Sequence, residues 1–280
     1  MKLLIIIPSL FLYLIASAQH SYISNKLIKK WQTPAELKTP ESVYYDTERN
    51  IIYVSNIAGG PSDKDINGFI STLSTDGKIL QIEWCKGLNA PKGIGIVGNY
   101  LFVADIDEIV KIDIQKQKII QRYPIKDAKF LNDITTEAEG VIYVSDMNGN
   151  AIYRIKNSVV ELFVKSDFLN QPNGLYTERN LLYVGLRDRI VTINIKSKEI
   201  KDYILNTGSI EGIISDGNGN FIISDWLGNI HLVNPNNHNE KLLDTTPEKV
   251  NAADIEYVIG KKLLLVPTFS DNRIMAYELR

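Results

Sequence analysis

The chain has 280 residues, 44% of them hydrophobic and 23% charged, with a formal net charge of −2. So balanced a charge excludes a basic nucleic-acid or membrane-surface binder, and the hydrophobic share is large enough for a sizeable core. A single cysteine, Cys85, excludes any disulfide within the chain.

The chain opens "MKLLIIIPSLFLYLIASAQ", with Lys2, an apolar run from Leu3 to about Ile15, and the small triplet Ala16-Ser17-Ala18. This pattern predicts a secretory signal peptide over residues 1–18, cleaved after Ala18. The run is short for a membrane span, and no later segment approaches about 18 consecutive apolar residues, so none is expected. Gln19 rather than a cysteine would follow the cut, which argues against a lipid anchor there. Residues 19–280 are thus expected as one exported domain, periplasmic or secreted, and monomeric. Without disulfides, its stability must come from packing, to which a bound ion would add.

Six related phrases follow: "IIYVSN" at 51–56, "YLFVAD" at 100–105, "VIYVSD" at 141–146, "LLYVGL" at 181–186, "NFIISD" at 220–225 and "LLLVPT" at 263–268. Their register residues are Val54, Val103, Val144, Val184, Ile223 and Val266, separated by 49, 41, 40, 39 and 43 positions. Each copy reads as four short alternating strands with Asp-, Asn- and Gly-rich turns, as in "NDITTEA", "EGVIYVSD", "NAIYRIK" and "VVELFVK". A period near 40 with four antiparallel strands per unit predicts an all-β, six-bladed β-propeller. The last copy supplies three strands and stops, while "NKLIKKWQ" near the N-terminus resembles the fourth strands elsewhere. The ring is therefore expected to close by an N-terminal strand joining the last blade, which removes an open edge. A helix over residues 25–38 is the alternative. Tyr53, Tyr143 and Tyr183 share one strand register and read as packing residues, and Cys85 reads as a half-buried strand residue.

Counting back 11 to 13 positions from each register residue gives Glu41, Lys92, Asn132, Asn173, Glu211 and Asp254, all polar. Innermost strands line a propeller's channel, so these residues are expected to ring one mouth. Buried carboxylates and amides need partners. Lys92 can satisfy one carboxylate, Asp254 among the candidates, and a cation would satisfy two carboxylates and two amides. Oxygen donors without His or Cys suit Ca²⁺ first, with Mg²⁺, Mn²⁺ and Zn²⁺ as alternatives.

At these residues the chain resembles the gluconolactonase, regucalcin (senescence marker protein) and luciferin-regenerating-enzyme family of six-bladed propellers. The resemblance implies a divalent metal held by a Glu, two Asn and an Asp, the Asp acting also as base in lactone hydrolysis. "TPESVYYD" matches at Glu41, "LNDITTEAEGVIYVSDM" at Asn132, "QPNGLYTERNLLYV" at Asn173 and "SIEGIISDGNGNFIISD" at Glu211. The family's Gly-Pro after the first Glu is replaced here by Ser42-Val43. Glu211 stands where the family has Asp, and Phe130-Leu131 stand where the family has an Arg shortly before the first Asn. The implied metal set is thus Glu41, Asn132, Asn173 and Glu211, with Glu211 the candidate base and Asp254 a second acceptor.

Loops after each second strand are expected at the same mouth. They carry Asn56, Asp105, Asp146 to Asn148, Arg187, Asp188, Asp225, Trp226 and Phe269 to Asp271. Arg187 is the candidate for an anionic substrate group, Asp146 and Asn148 for polar contacts, and Trp226 and Phe269 for an apolar wall. The longest loop, "NIAGGPSDKDINGF", is placed to overhang the mouth as a lid. No G-x-S-x-G elbow occurs, and His20, His231 and His238 lie away from the ring, which disfavours a serine triad or a His-based metal site. Two readings remain open: a metal-dependent lactonase or esterase acting on a small molecule, and a non-enzymatic binding propeller for a protein partner, since "PKGIGIVGNYLFVAD" also resembles NHL-repeat scaffolds.

Overall fold

The computed structural model describes residues 21–280 apart from 138 and 237; the expected signal peptide lies outside the described residues. Six antiparallel sheets of four strands or more follow one another along the chain, giving the expected six-bladed β-propeller. Blade 1 consists of Pro40–Asp46, Ile51–Asn56, Gly68–Leu73 and Ile79–Leu88. The inner strands of blades 2 to 6 are Pro91–Val97, Leu131–Thr136, Leu175–Glu178, Ile213–Ser215 and Glu256–Val258. Among the described residues there are 3-10 turns but no α-helix.

The N-terminal segment closes the ring. Leu27–Gln32 runs antiparallel to Ile274–Leu279, with Leu27 opposite Leu279 and Gln32 opposite Met275, and completes blade 6 as its outer strand. This replaces the helical alternative for residues 25–38, because only an extended segment can supply the ladder that blade 6 lacks. Tyr22–Ile23 goes further and adds a fifth strand to blade 5 through Asp244 and Leu243.

The core is divided among the blade interfaces. Tyr53 is packed edge-on to Trp84 at 5.0 Å, Tyr143 to Phe163 at 5.0 Å, and Tyr183 lies 4.8 Å from Phe221. These tyrosines are buried, as their common register predicted, and each large ring buried this way removes apolar area that drives folding. Cys85 is buried, and burial pushes its thiol up to about 11, so it is a packing residue.

One local device positions the site. In blades 1, 2 and 3 the pairing of the two inner strands skips between Pro40 and Val43, Pro91 and Ile94, and Leu131 and Ile134. These β-bulges re-aim side chains at the start of the inner strand. They also leave backbone N–H groups without a ladder partner. In blades 1 and 3 a serine on the second strand meets that need, Ser55 accepting from Ser42 N and Ser145 from Asp133 N, and in blade 5 Ser224 accepts likewise from Gly212 N, each at 2.9 Å. The recurrent "VS" and "IS" of the repeat has this as its physical reason.

Candidate functional site

The bulges place two tiers of residues at one mouth of the channel. Aligned on the inner-strand residue paired with each register residue, the upper tier is Glu41, Lys92, Asn132, Asn173, Glu211 and Ala253. The lower tier is Ser42, Gly93, Asp133, Gly174, Gly212 and Asp254. Asp254 therefore does not stand in the ring, as its sequence offset implied, but one residue deeper. The ring position of blade 6 is Ala253, whose N–H donates to the Pro267 carbonyl as Asn173 N does to Gly185 O and Glu211 N to Ser224 O.

Lower-tier glycines make room for the two acids. A Cβ on Gly93 would stand 2.5 Å from Asp133 Cα, and one on Gly212 would stand 2.8 Å from Asp254 Oδ1. Asp254 lies close to Asp133 and accepts from the Ser42 hydroxyl at 2.6 Å. Burial lifts Asp254 to about 7 and holds Asp133 well above the usual carboxylate range, with the Asp254 charge adding to the latter. Two acids facing one another in so dry a place share a proton. Asp133 also accepts from Leu175 N of the next blade at 2.6 Å. Sequence reasoning missed Asp133 and Ser42. The signal was present, since aligning the copies on Val43, Ile94, Ile134, Leu175, Ile213 and Ile255 exposes the lower tier.

In the upper tier, the Asn173 amide donates to Glu211 Oε2 at 2.8 Å across the boundary of blades 4 and 5. Burial raises Glu211 to about 7 against this hydrogen bond, with a smaller contribution from Asp254. Glu41 is 5% exposed, and its Oε2 has no hydrogen-bond partner among the described residues. Burial, then the Asp254 charge, lifts Glu41 well above the carboxylate range while Lys92 opposes them. Asn132 is buried, and its amide nitrogen meets Met147 Sδ at 3.8 Å.

Lys92 does not make the expected ion pair with Asp254 or another ring carboxylate. It is 2% exposed, donates to the carbonyls of Pro61 at 2.9 Å and Ala90 at 3.0 Å, and stands 4.4 Å from the Phe130 ring centre. The side chain points outward to the mouth, whereas Asp254 lies deeper. Lys92 thereby ties down the long loop after Ile51–Asn56, which Lys64 also anchors through Asp107 at 2.6 Å. The loop thus reaches the ring at Lys92 through Pro61.

The loop candidates separate into two groups. Trp226 and Phe269 come together, with ring centres 4.4 Å apart. Phe269 also packs against Ile57, Ala90 and Ile106. Asp146, by contrast, is wholly buried and its carboxylate accepts from the N–H groups of Lys129, Phe130 and Gly149, so it fastens the loop before its blade's inner strand. Asp105 does the same for Asn89 and Ala90, and Asn56 for Lys38. Asn148 and Arg187 are exposed. His231 and His238 lie on the third and outer strands of blade 5, away from the ring.

Below the tiers a cavity of about 280 Å³ runs toward the far mouth, lined by Asp133, Asp254, Glu256, Tyr44 and Tyr176 among others. A larger cleft of about 930 Å³ between blades 3 and 4 opens at that far end and contains no ring residue. Among the described residues, no three His, Cys, Asp or Glu side chains converge in metal-binding geometry, so a cation here would depend on amide oxygens as well as Glu41 and Glu211.

Solved structures of other propellers resemble this one. A gluconolactonase from Xanthomonas campestris superposes with a TM-score of 0.70 at 12% identity, covering 91% of this chain and 89% of that one. A streptogramin B lyase gives 0.66 at 15% identity, covering 93% and 98%. The extracellular domain of a hybrid two-component system protein from B. thetaiotaomicron gives 0.58 at 14% identity, covering 89% of this chain and 36% of that one. No protein-family profile and no curated protein sequence matches the chain. At these identities the likeness establishes the propeller fold, and propellers host many functions.

Proposed function

We propose that this chain is an exported, divalent-cation-dependent hydrolase of a small lactone or ester. The observation that carries the reading is Glu41, whose Oε2 is buried without a donor among the described residues, in a ring that also holds Asn132, Asn173 and Glu211. An unpartnered buried carboxylate oxygen is costly. A hard cation taking Glu41, Glu211 and the two amide oxygens would relieve it, and an all-oxygen set favours Ca²⁺, with Mg²⁺, Mn²⁺ and Zn²⁺ as alternatives.

When bound, such a cation supplies polarisation of a carbonyl and acidification of water. The chain's own residues supply the rest. Glu211 is the candidate base: burial holds it at about 7 in the cation-free protein, and its Oε2 is oriented by the Asn173 amide. The gluconolactonase among the structural neighbours is in keeping with this assignment, and the N-terminal "LIIIPSLFLYLIASA" supports export. Among the described residues no helix is long and apolar enough to cross a membrane.

Thermal unfolding of EDTA-treated protein, residues 19–280, titrated with each cation beside Asn173→Ala, tests the reading. A cation at about 100 times its dissociation constant stabilises the folded state by about 2.7 kcal/mol, and the variant should lose that gain. A screen of lactones then follows. A second reading, a binding propeller with a structural or vestigial ring, is favoured by the engagement of Glu211 with Asn173. No shift with any cation would leave that reading in front.

A further inference from the structure

Resting on the hydrolase reading, we propose that the mouth selects lactones or esters bearing an apolar side arm, with Trp226 and Phe269 as specificity-determining residues. Four observations carry this. First, Trp226 and Phe269 come from blades 5 and 6 and meet edge-to-face at 4.4 Å, and Phe269 continues onto Ile57, Ala90 and Ile106 of blades 1 and 2. The turn Phe269–Asp271 lies against the strand that carries Glu41, and the Thr39 N–H donates to Asn272 Oδ1 at 2.8 Å to hold it there. The apolar arc is thus continuous with the ring.

Second, the arc is uncovered at one end: Trp226 is 39% and Leu227 67% exposed. Aromatic and aliphatic groups left open beside a polar, convergent site are what an apolar ligand arm would cover. Third, the arc is held by backbone that its side chains do not favour. Phe269 has φ +47° and Ile106 φ +62°. Bulky and β-branched residues adopt this region only where the surroundings enforce it, and such strain clusters at ligand clamps. Fourth, the wall beside Asn132 is Phe130, and the cation nearest to it, Lys92, is already engaged by two carbonyls. That wall therefore offers a ring face to a ligand arm.

The test compares two lactones of the same ring size, one unsubstituted and one carrying an eight-carbon alkyl arm, with gluconolactone as the polyhydroxylated control. The armed lactone is expected to be favoured by at least about tenfold in kcat/KM. Trp226→Ala is expected to erase most of that preference by raising KM for the armed lactone. Phe269→Leu should halve it or better while keeping an apolar residue in the turn. Independently of turnover, an alkyl lactam of the same ring should quench Trp226 emission saturably, measured as the difference between the native protein and Trp226→Phe. Equal rates on both lactones, a preference for gluconolactone, or no quenching overturns the inference. Saturable quenching without hydrolysis of any lactone overturns the hydrolase reading and leaves the apolar site standing.

Discussion

Ser42 and Asp254 meet where the first and last blades join: the Ser42 hydroxyl donates to Asp254 Oδ2 at 2.6 Å, and Asp254 N donates to the Glu41 carbonyl at 3.0 Å. The contact ties the lower tier to the upper and fixes the strand that presents Glu41. Its two partners are 212 positions apart in sequence, so it forms only once the ring has closed.

Ser42→Ala is expected to cost about 1–3 kcal/mol, because it strips a donor from a buried acid. Urea unfolding read by far-ultraviolet circular dichroism measures it. An unchanged midpoint would mean that Asp133 alone satisfies Asp254.

Gly93→Ala is expected to be destabilising by about 1–3 kcal/mol, since the added Cβ collides with the backbone of Asp133 rather than with a movable side-chain end. Gly260→Ala, where a Cβ meets nothing within 4 Å, is the control and should change stability little. Equal unfolding midpoints for the two variants would rule out the tight lower tier.

Stability without metal should fall as pH rises. Burial lifts the carboxyls of Asp254 and Glu256 to about 7, with the Asp254 charge adding to the second. The unfolded chain titrates these groups near the ordinary value of about 4, so the folded state holds protons more tightly over the interval between. Their contribution is complete below about pH 4 and is lost as pH rises through about 7. In EDTA, the urea midpoint should be lower at about pH 8 than at about pH 5, and Glu256→Gln should flatten the decline. A midpoint that climbs over this range would contradict the placement of these acids.

Deleting residues 19–32 removes the outer strand of blade 6 and exposes the edge of Ile274–Leu279. Such an edge templates association. The truncated protein is expected to unfold at lower temperature and to elute as larger species at rising concentration in size-exclusion chromatography. Leu27→Ala, which empties a buried position on the same strand, should cost about 2–5 kcal/mol without association.

The sequence by itself determined the number of blades, their order and the closure by the N-terminal strand. Those features repeat about every 40 residues, and period and alternation are local properties of the chain. It also marked Glu41, Lys92, Asn132, Asn173 and Glu211 as ring residues, because each lies at a nearly constant offset from a strand residue. Constant offset is also why it misplaced Asp254. The turn between the inner and second strands varies in length from blade to blade, which alters the count by a residue or two, and a shift of one residue along a strand exchanges one tier for the other. Tertiary structure alone decided the partners. Lys92 meets Pro61 because a loop of blade 1 reaches the start of blade 2, and Asp133 and Asp254 fit together because Gly93 and Gly212 leave room for them. It likewise brought Trp226 to Phe269 and gave Asp146 to backbone donors instead of the mouth. Such pairings join residues on different blades or loops, and no periodicity within a single strand encodes them.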